Sequence, residues 1–419
     1  MMTPRPLSRS LSSPPDSPGE TGVLGSIVCE KTARICGRHY PDRLRAVMLT
    51  GSLARNEATW VTWSEGWKLL GDVEFLLVFE PRSPLPPQPA LRSLEQEIQA
   101  ELGSERIAGH IQLTPVHPRF FAELDRRIFA YELRARGRVV YGDGSVVRLI
   151  PELSAADILW EDAWRLLANR VIENLEAAAE VKSCDGPLPP GLRYRTVKLY
   201  LDMATSLSVF AGFYAPAYLE RCHRLTALAG TPEAGQNWPF PPGPFSEQVS
   251  IATDAKLGGD PPAATLDWEF WRQAVQHARS LWQWELARLA GTQDPVPGED
   301  PLRRWIRRQP LAERLRGWIF VWRACGWLRG SRRWLGWARL ISNGSPRYCV
   351  YQAARTLLDE LPGAIENHPE RGVAPATRDR VLSHLPVVQG VGPRSAWRWG
   401  DLVGEVAWNY HQFLEPTRA

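Results

Sequence analysis

At 419 residues, 44% of them apolar and 23% charged, the chain has a globular composition with room for two to three domains at roughly 100–200 residues each, and disorder throughout is excluded. Fifty Lys and Arg against 46 Asp and Glu leave a formal net charge of +4, too small over this length to imply a polyelectrolyte partner, so any basic patch must be local. The longest uncharged stretch, Met203 to Leu219, is interrupted by Thr205, Ser206, Ser208 and Pro216 and falls short of a membrane span. The first residues lack the apolar core of a signal peptide, so a cytoplasmic location is expected. Cysteines at 29, 36, 184, 222, 325 and 349 show no CxxC pair and no zinc spacing, and read as small buried apolar residues.

In chain order, residues 1–21 are rich in Pro and Ser and read as a disordered tail. From Gly22 to Tyr40 the apolar positions fit one helix, closed by Pro41-Asp42. The run Ala46 to Leu49 then reads as a strand that leads directly into Thr50-Gly51-Ser52. A second buried strand, Val73 to Phe79, follows Gly71-Asp72. A helix from Ala90 to Leu102, a third strand from His110 to Val116, an amphipathic stretch from Ile128 to Arg136 and a short strand within Gly137 to Gly142 complete a small α/β unit over residues 22–150.

From Trp160 the character changes, because Trp164, Leu167, Val171, Leu175 and Ala178 recur at helical spacing and Tyr194 to Phe213 forms a second long helix. Residues 151–419 therefore read as a mainly helical domain. It contains a Pro/Gly-rich connection at 230–262 and further helices at about 266–290, 311–341, 348–361 and 399–413. The expected class is α+β, a small mixed sheet followed by helices.

One constellation has a specific chemical reading. Asp72 and Glu74 lie at i and i+2 of a strand, so both carboxylates point to one face, and two adjacent hard oxygen ligands suit Mg²⁺. Gly51 permits close backbone approach to a phosphate, while Ser52 and the following turn to Arg55 offer a hydroxyl and backbone N–H groups at a helix start. As an alternative, Gly51-Ser52 is an ordinary turn, Asp72 a strand start and Glu74 a solvated edge residue.

The run Thr50-Gly51-Ser52-Leu53-Ala54-Arg55-Asn56-Glu57, followed by Gly71-Asp72-Val73-Glu74, resembles the nucleotidyltransferase superfamily related to DNA polymerase beta over residues 22–150. The resemblance implies that Gly51 and Ser52, with Arg55, hold a nucleoside triphosphate, and that Asp72 and Glu74 bind Mg²⁺. It also implies transfer of a nucleoside monophosphate to an acceptor hydroxyl or phosphate. The expected partners are the triphosphate and a small-molecule acceptor, with no nucleic acid and no membrane. The sequence departs from the family pattern in two places. The spacer from Leu53 to Gly71 is long, carries Trp60, Trp63 and Trp67, and reads as a loop insertion; the strand that often supplies a third carboxylate has Gln112 or Thr114 instead. A neutral amide is a poor base, so the alternative function is a catalytically inactive nucleotide sensor or partner-binding protein with the same fold.

In the helical region Arg195, Lys198 and Asp202 form a polar stripe at helical spacing. Lys198 either contacts the triphosphate, as in members with a Lys on a helical domain, or pairs with Asp202 on the surface. In the first case the site lies between the two domains, with Asp202, Glu161 or Asp162 as base. Residues 301–340 hold 11 Arg against one carboxylate, Glu313, with six interleaved Trp. Phosphate-backbone binding and a membrane surface are open readings; the spacing of Leu311, Leu315, Trp318, Trp322 and Cys325 favours a core helix buried on that face. His110 and His117 flank the third strand; one of them reaches the site or, the favoured reading, both are structural.

Overall fold

The computed structural model describes residues 18–63, 65–231, 238–258, 265–291, 301–326, 337, 340–342, 344–366, 372–389 and 397–414. These group into two compact units that meet in sequence between Ile158 and Leu159, slightly beyond the expected boundary, with the stretch from Lys256 counted in the first.

The first unit is built on a mixed sheet. Helix α1 (Pro18–His39) begins within the expected tail, whose residues 1–17 lie outside the described ones. It leads into β1 (Leu44–Thr50) and the single turn α2 (Gly51–Ala54). Next come β2 (Thr59–Trp63) and β3 (Gly66–Phe79), paired antiparallel from Thr59↔Leu70 to Trp63↔Gly66. The Leu53 to Gly71 spacer is therefore part of the sheet rather than a loop. The reason is packing: Trp60, Trp67 and Leu69 are buried in the main apolar cluster, and Thr-Trp-Val-Thr-Trp has the aromatic and β-branched alternation of a strand.

Helix α3 (Gln88–Ser104), β4 (Ile107–Val116), α4 (Pro118–Ala122), α5 (Ile128–Arg136) and β5 (Arg138–Gly142) follow. The fourteen-residue β3 is the spine: β4 runs parallel to it, β1 is antiparallel to it, and β5 pairs with the far edge of β1. Period-two alternation divides the apolar residues between two faces. Val73, Phe75, Leu77 and Phe79 pack with Leu91, Leu94 and Ile98 of α3 and Val28, Ile35 and Cys36 of α1, whereas Leu76 and Val78 pack with Met48, Phe121, Leu133 and Val146. Asp72 and Glu74 continue the second face.

The second unit is helical among its described residues. It comprises α6 (Trp160–Ala179), α7 (Pro190–Phe210), α8 (Tyr218–Ala229), α9 (Pro242–Lys256), α10 (Trp268–Leu289), α11 (Pro301–Arg308), α12 (Leu311–Cys325), α13 (Pro346–Glu366), α14 (Pro375–His384) and α15 (Trp399–Phe413). The expected 230–262 connection thus contains a helix, α9, whose Phe245, Val249 and Ala252 are buried despite the surrounding Pro and Gly. The core centres on Trp164, whose ring lies 5.6 Å from Trp282 of α10 and 5.7 and 5.4 Å from Tyr348 and Tyr351 of α13. Such aromatic pairs add about 0.5–1.5 kcal/mol each beyond the area they bury.

Helix α12 corrects the expected burial pattern. Its buried residues are Trp318 and Val321, while Leu311 is 60% exposed and Leu315 and Ile319 are also exposed. The inward face is fixed by the Trp318 indole N–H, which donates to the Gly344 carbonyl at 2.9 Å, and by Gly317, where a Cβ would lie 2.9 Å from Cδ of Pro346. Those contacts rotate the helix away from the face that apolar spacing favours.

Candidate active site

The geometry at Asp72 follows from how β3 changes partners. The β2 register ends at Leu70 and the β1 register begins at Glu74, so Asp72 lies at the seam, next to Gly71 with φ +103° and at a register shift in the β4 pairing. Opposite this seam β1 ends at Thr50, the register partner of Glu74, and the chain turns into α2 through Gly51. Gly51 has φ +72°, and a Cβ there would lie 3.3 Å from Oε2 of Glu74. The left-handed backbone favours glycine, and a Cβ there would press the Glu74 carboxylate back by a few tenths of an ångström. Glu74 is half-buried and Asp72 exposed on the same face.

The β4 register sets His110 beside Asp72 and Gln112 beside Glu74. His110 Nδ1 lies 3.0 Å from Oδ1 of Asp72, and both side chains are more than half exposed. Of the two readings open for His110, the parallel register of β3 and β4, a long-range property, sets it beside Asp72.

Arg55 is turned into the protein. Its Nε donates to Glu57 at 2.9 Å and its Nη1 to Glu132 of α5 at 2.7 Å, with the guanidinium group largely covered. Glu57 N–H donates to the Ser52 carbonyl at 2.8 Å, so this network fixes the turn that carries Ser52. Gly51, Ser52, Asp72 and Glu74 come together around the end of β1; Arg55 braces them through α2.

Two carboxylates on one face, with neutral Gln112 beside them, fit a Mg²⁺ that takes its other ligands from water and phosphate oxygens. They do not form an all-protein cage, and among the described residues no group of three or more His, Cys, Asp or Glu could hold a metal ion.

In the second unit the polar stripe on α7 is engaged with α6. Arg170 Nε donates to Asp202 at 2.6 Å and its Nη1 to Glu173, which also accepts from Arg195. Burial alone would lower the pKa of Arg170, yet the Asp202 and Glu173 carboxylates hold it above its ordinary value. Lys198 stands over the Tyr194 ring at 5.3 Å. Arg195 and Asp202 therefore serve helix packing.

Compared with known proteins, the chain matches no family model, no curated protein and no solved structure.

Proposed function

We propose that the first unit is a Mg²⁺-dependent nucleotidyltransferase domain that moves a nucleoside monophosphate from a nucleoside triphosphate to an acceptor hydroxyl or phosphate on a small molecule. The observation that carries this reading is the approach of the Gly51 backbone to the Glu74 carboxylate, with Asp72 on the same face at the seam of β3. It puts hard oxygen ligands beside a turn whose first N–H groups have no intrahelical acceptor, which is the pairing that a Mg²⁺-bound triphosphate requires.

In this reading Asp72 and Glu74 hold the metal ion, which when bound supplies charge neutralisation on the triphosphate. Gly51 leaves room for a phosphate oxygen near the backbone, and the Ser52 hydroxyl can donate to one. His110, in contact with Asp72, fixes that carboxylate's orientation. Chemically, the acceptor oxygen attacks the α-phosphorus in line, a hydroxyl acceptor's proton passes to solvent, the bond to the bridging oxygen breaks, and pyrophosphate departs with the electron pair. The reading rests on first-unit residues alone.

Gln112 favours a second reading, a nucleotide-sensing protein without turnover, because it stands in register with Glu74 where a third carboxylate would complete the set. Incubating the full chain with labelled ATP, CTP, GTP and UTP, Mg²⁺ and a metabolite extract separates the two. A labelled adduct that is absent in Asp72→Asn supports transfer. Mg²⁺-dependent triphosphate binding with no adduct supports sensing, and neither binding nor adduct contradicts both.

A further inference from the structure

Helix α12 turns an aliphatic stripe away from the core. Leu311, Leu315 and Ile319 recur at i, i+4 spacing, so they share one face, and each is exposed, Leu311 to 60%. The side that packs inward carries Trp318 and Val321 instead. At roughly 1.5 Å per residue the stripe runs for about 12 Å. A single exposed leucine needs no explanation, whereas large apolar side chains in line on one helix face mark a contact surface.

The charge around the stripe is of one sign with a single exception. At about 100° per residue, Arg316 and Arg323 follow Ile319 around the axis by roughly 40–60°, so they border the stripe on the side away from the core, and both are exposed. Glu313, the one carboxylate in residues 301–326, is exposed too, but it lies about 160° around the helix from Leu315, beyond those arginines, with exposed Phe320 on the same side. Helix α11, directly before, adds exposed Arg303, Arg307 and Arg308. Seven Arg against Glu313 leave residues 301–326 with a formal charge of +6.

We propose that this face of α12 rests on an anionic lipid surface. Leu311, Leu315 and Ile319 dip into the boundary between headgroups and acyl chains, and Arg316 and Arg323 meet the anionic headgroups beside them. Arginine suits that flank because its apolar stem covers hydrocarbon while the guanidinium stays among headgroups. Two other occupants fit less well. Nucleic acid would meet the arginines but leave the aliphatic stripe in water, and a second copy would cover the stripe but set one strongly basic segment against another. The helix lies on the surface and does not cross it, since no described helix is long and apolar enough to span a membrane. This departs from the expectation of no membrane partner, and it is independent of the nucleotidyltransferase reading because these residues all belong to the second unit.

Flotation of the full chain with phosphatidylcholine vesicles, with and without an equal part of phosphatidylserine, tests the proposal. At low salt the protein should bind the phosphatidylserine vesicles about tenfold or more tighter than phosphatidylcholine alone, and the difference should shrink as salt rises. Leu315→Ser with Ile319→Ser removes the stripe and should weaken binding about tenfold or more. Arg316→Gln with Arg323→Gln should also weaken it about tenfold or more at low salt, by a margin that high salt erases, whereas Glu313→Gln should bind no more weakly than wild type. Failure of wild type to float with phosphatidylserine vesicles would overturn the proposal, as would equal binding to both vesicles. So would wild-type binding by either double variant with its fold intact by circular dichroism. A lipid-free dimer that Leu315→Ser with Ile319→Ser dissolves would give the stripe to a second copy, and an oligonucleotide that displaces the vesicles would give the arginines to nucleic acid; each result would overturn the lipid assignment.

Discussion

Both units place carboxylates on otherwise apolar elements, and they treat them in opposite ways. In the second, Asp202 and Glu173 are buried and met by Arg170 and Arg195 across the α6–α7 contact. In the first, Asp72 is 56% exposed beside a partly solvated histidine, and Glu74 faces a glycine that leaves space in front of it. A carboxylate surrounded by guanidinium groups has its charge matched by protein and serves packing. A pair at a strand seam, with Asp72 exposed beside His110 and Glu74 against Gly51, is on our reading placed to meet an exogenous cation. The teaching is that polar spacing alone cannot separate these cases; what opposes each charge does.

The largest expected effect comes from breaking the matched network. Arg170→Leu removes the guanidinium that meets buried Asp202 and Glu173, and removing one partner of a buried ion pair typically costs about 3–5 kcal/mol. Denaturant unfolding should show that loss; a change under about 1 kcal/mol would mean the network is not what holds α6 to α7.

A second test uses a buried carboxylate that lacks such matching. Glu285 of α10 is fully buried, and desolvation raises its pKa to about 8, opposed only in part by Ser206 and Arg288. The folded state then keeps a proton that the unfolded chain releases above its ordinary value of 4.5, so stability falls as pH rises from there to about 8. The slope is on the order of 1 kcal/mol per pH unit where the two states differ by one proton. Glu285→Gln should flatten the fall, and identical slopes in variant and parent would contradict a neutral buried acid.

Gly51→Ala forces a left-handed residue against Glu74 and should cost about 1–2 kcal/mol in thermal or denaturant unfolding. If it costs nothing, the approach of backbone to carboxylate is looser than described. Asp72→Asn should change stability by at most about 0.5 kcal/mol, as expected for an exposed side chain. A large loss would move Asp72 into the structural class with Asp202.

Much of the first unit was legible because its signals are local. The turn residues Pro41-Asp42 and Gly71-Asp72, the apolar run of β1 and the i, i+2 placement of Asp72 and Glu74 each depend on neighbours in sequence. What escaped depends on partners far along the chain. The Thr59 to Trp63 strand has the right alternation, but the burial of Trp60 in the cluster with α1 and α3 depends on residues distant in sequence. His110 gained its position from a parallel register, and α12 took its inward face from Gly317 and Trp318 contacts with residues 344–346. The α7 stripe was visible as polarity, yet its partners Arg170 and Glu173 sit on another helix.

We propose that Asp72 and Glu74, unlike Asp202 and Glu173, present their charge to a metal-bound nucleotide. Titrating a non-hydrolysable triphosphate into wild-type protein, Asp72→Asn and Glu74→Gln, each with and without Mg²⁺, tests it most directly. The account predicts that wild type binds only with Mg²⁺, and that either variant loses about tenfold or more in affinity while keeping its melting temperature. Equal dissociation constants in all three proteins, or binding indifferent to Mg²⁺, would contradict it.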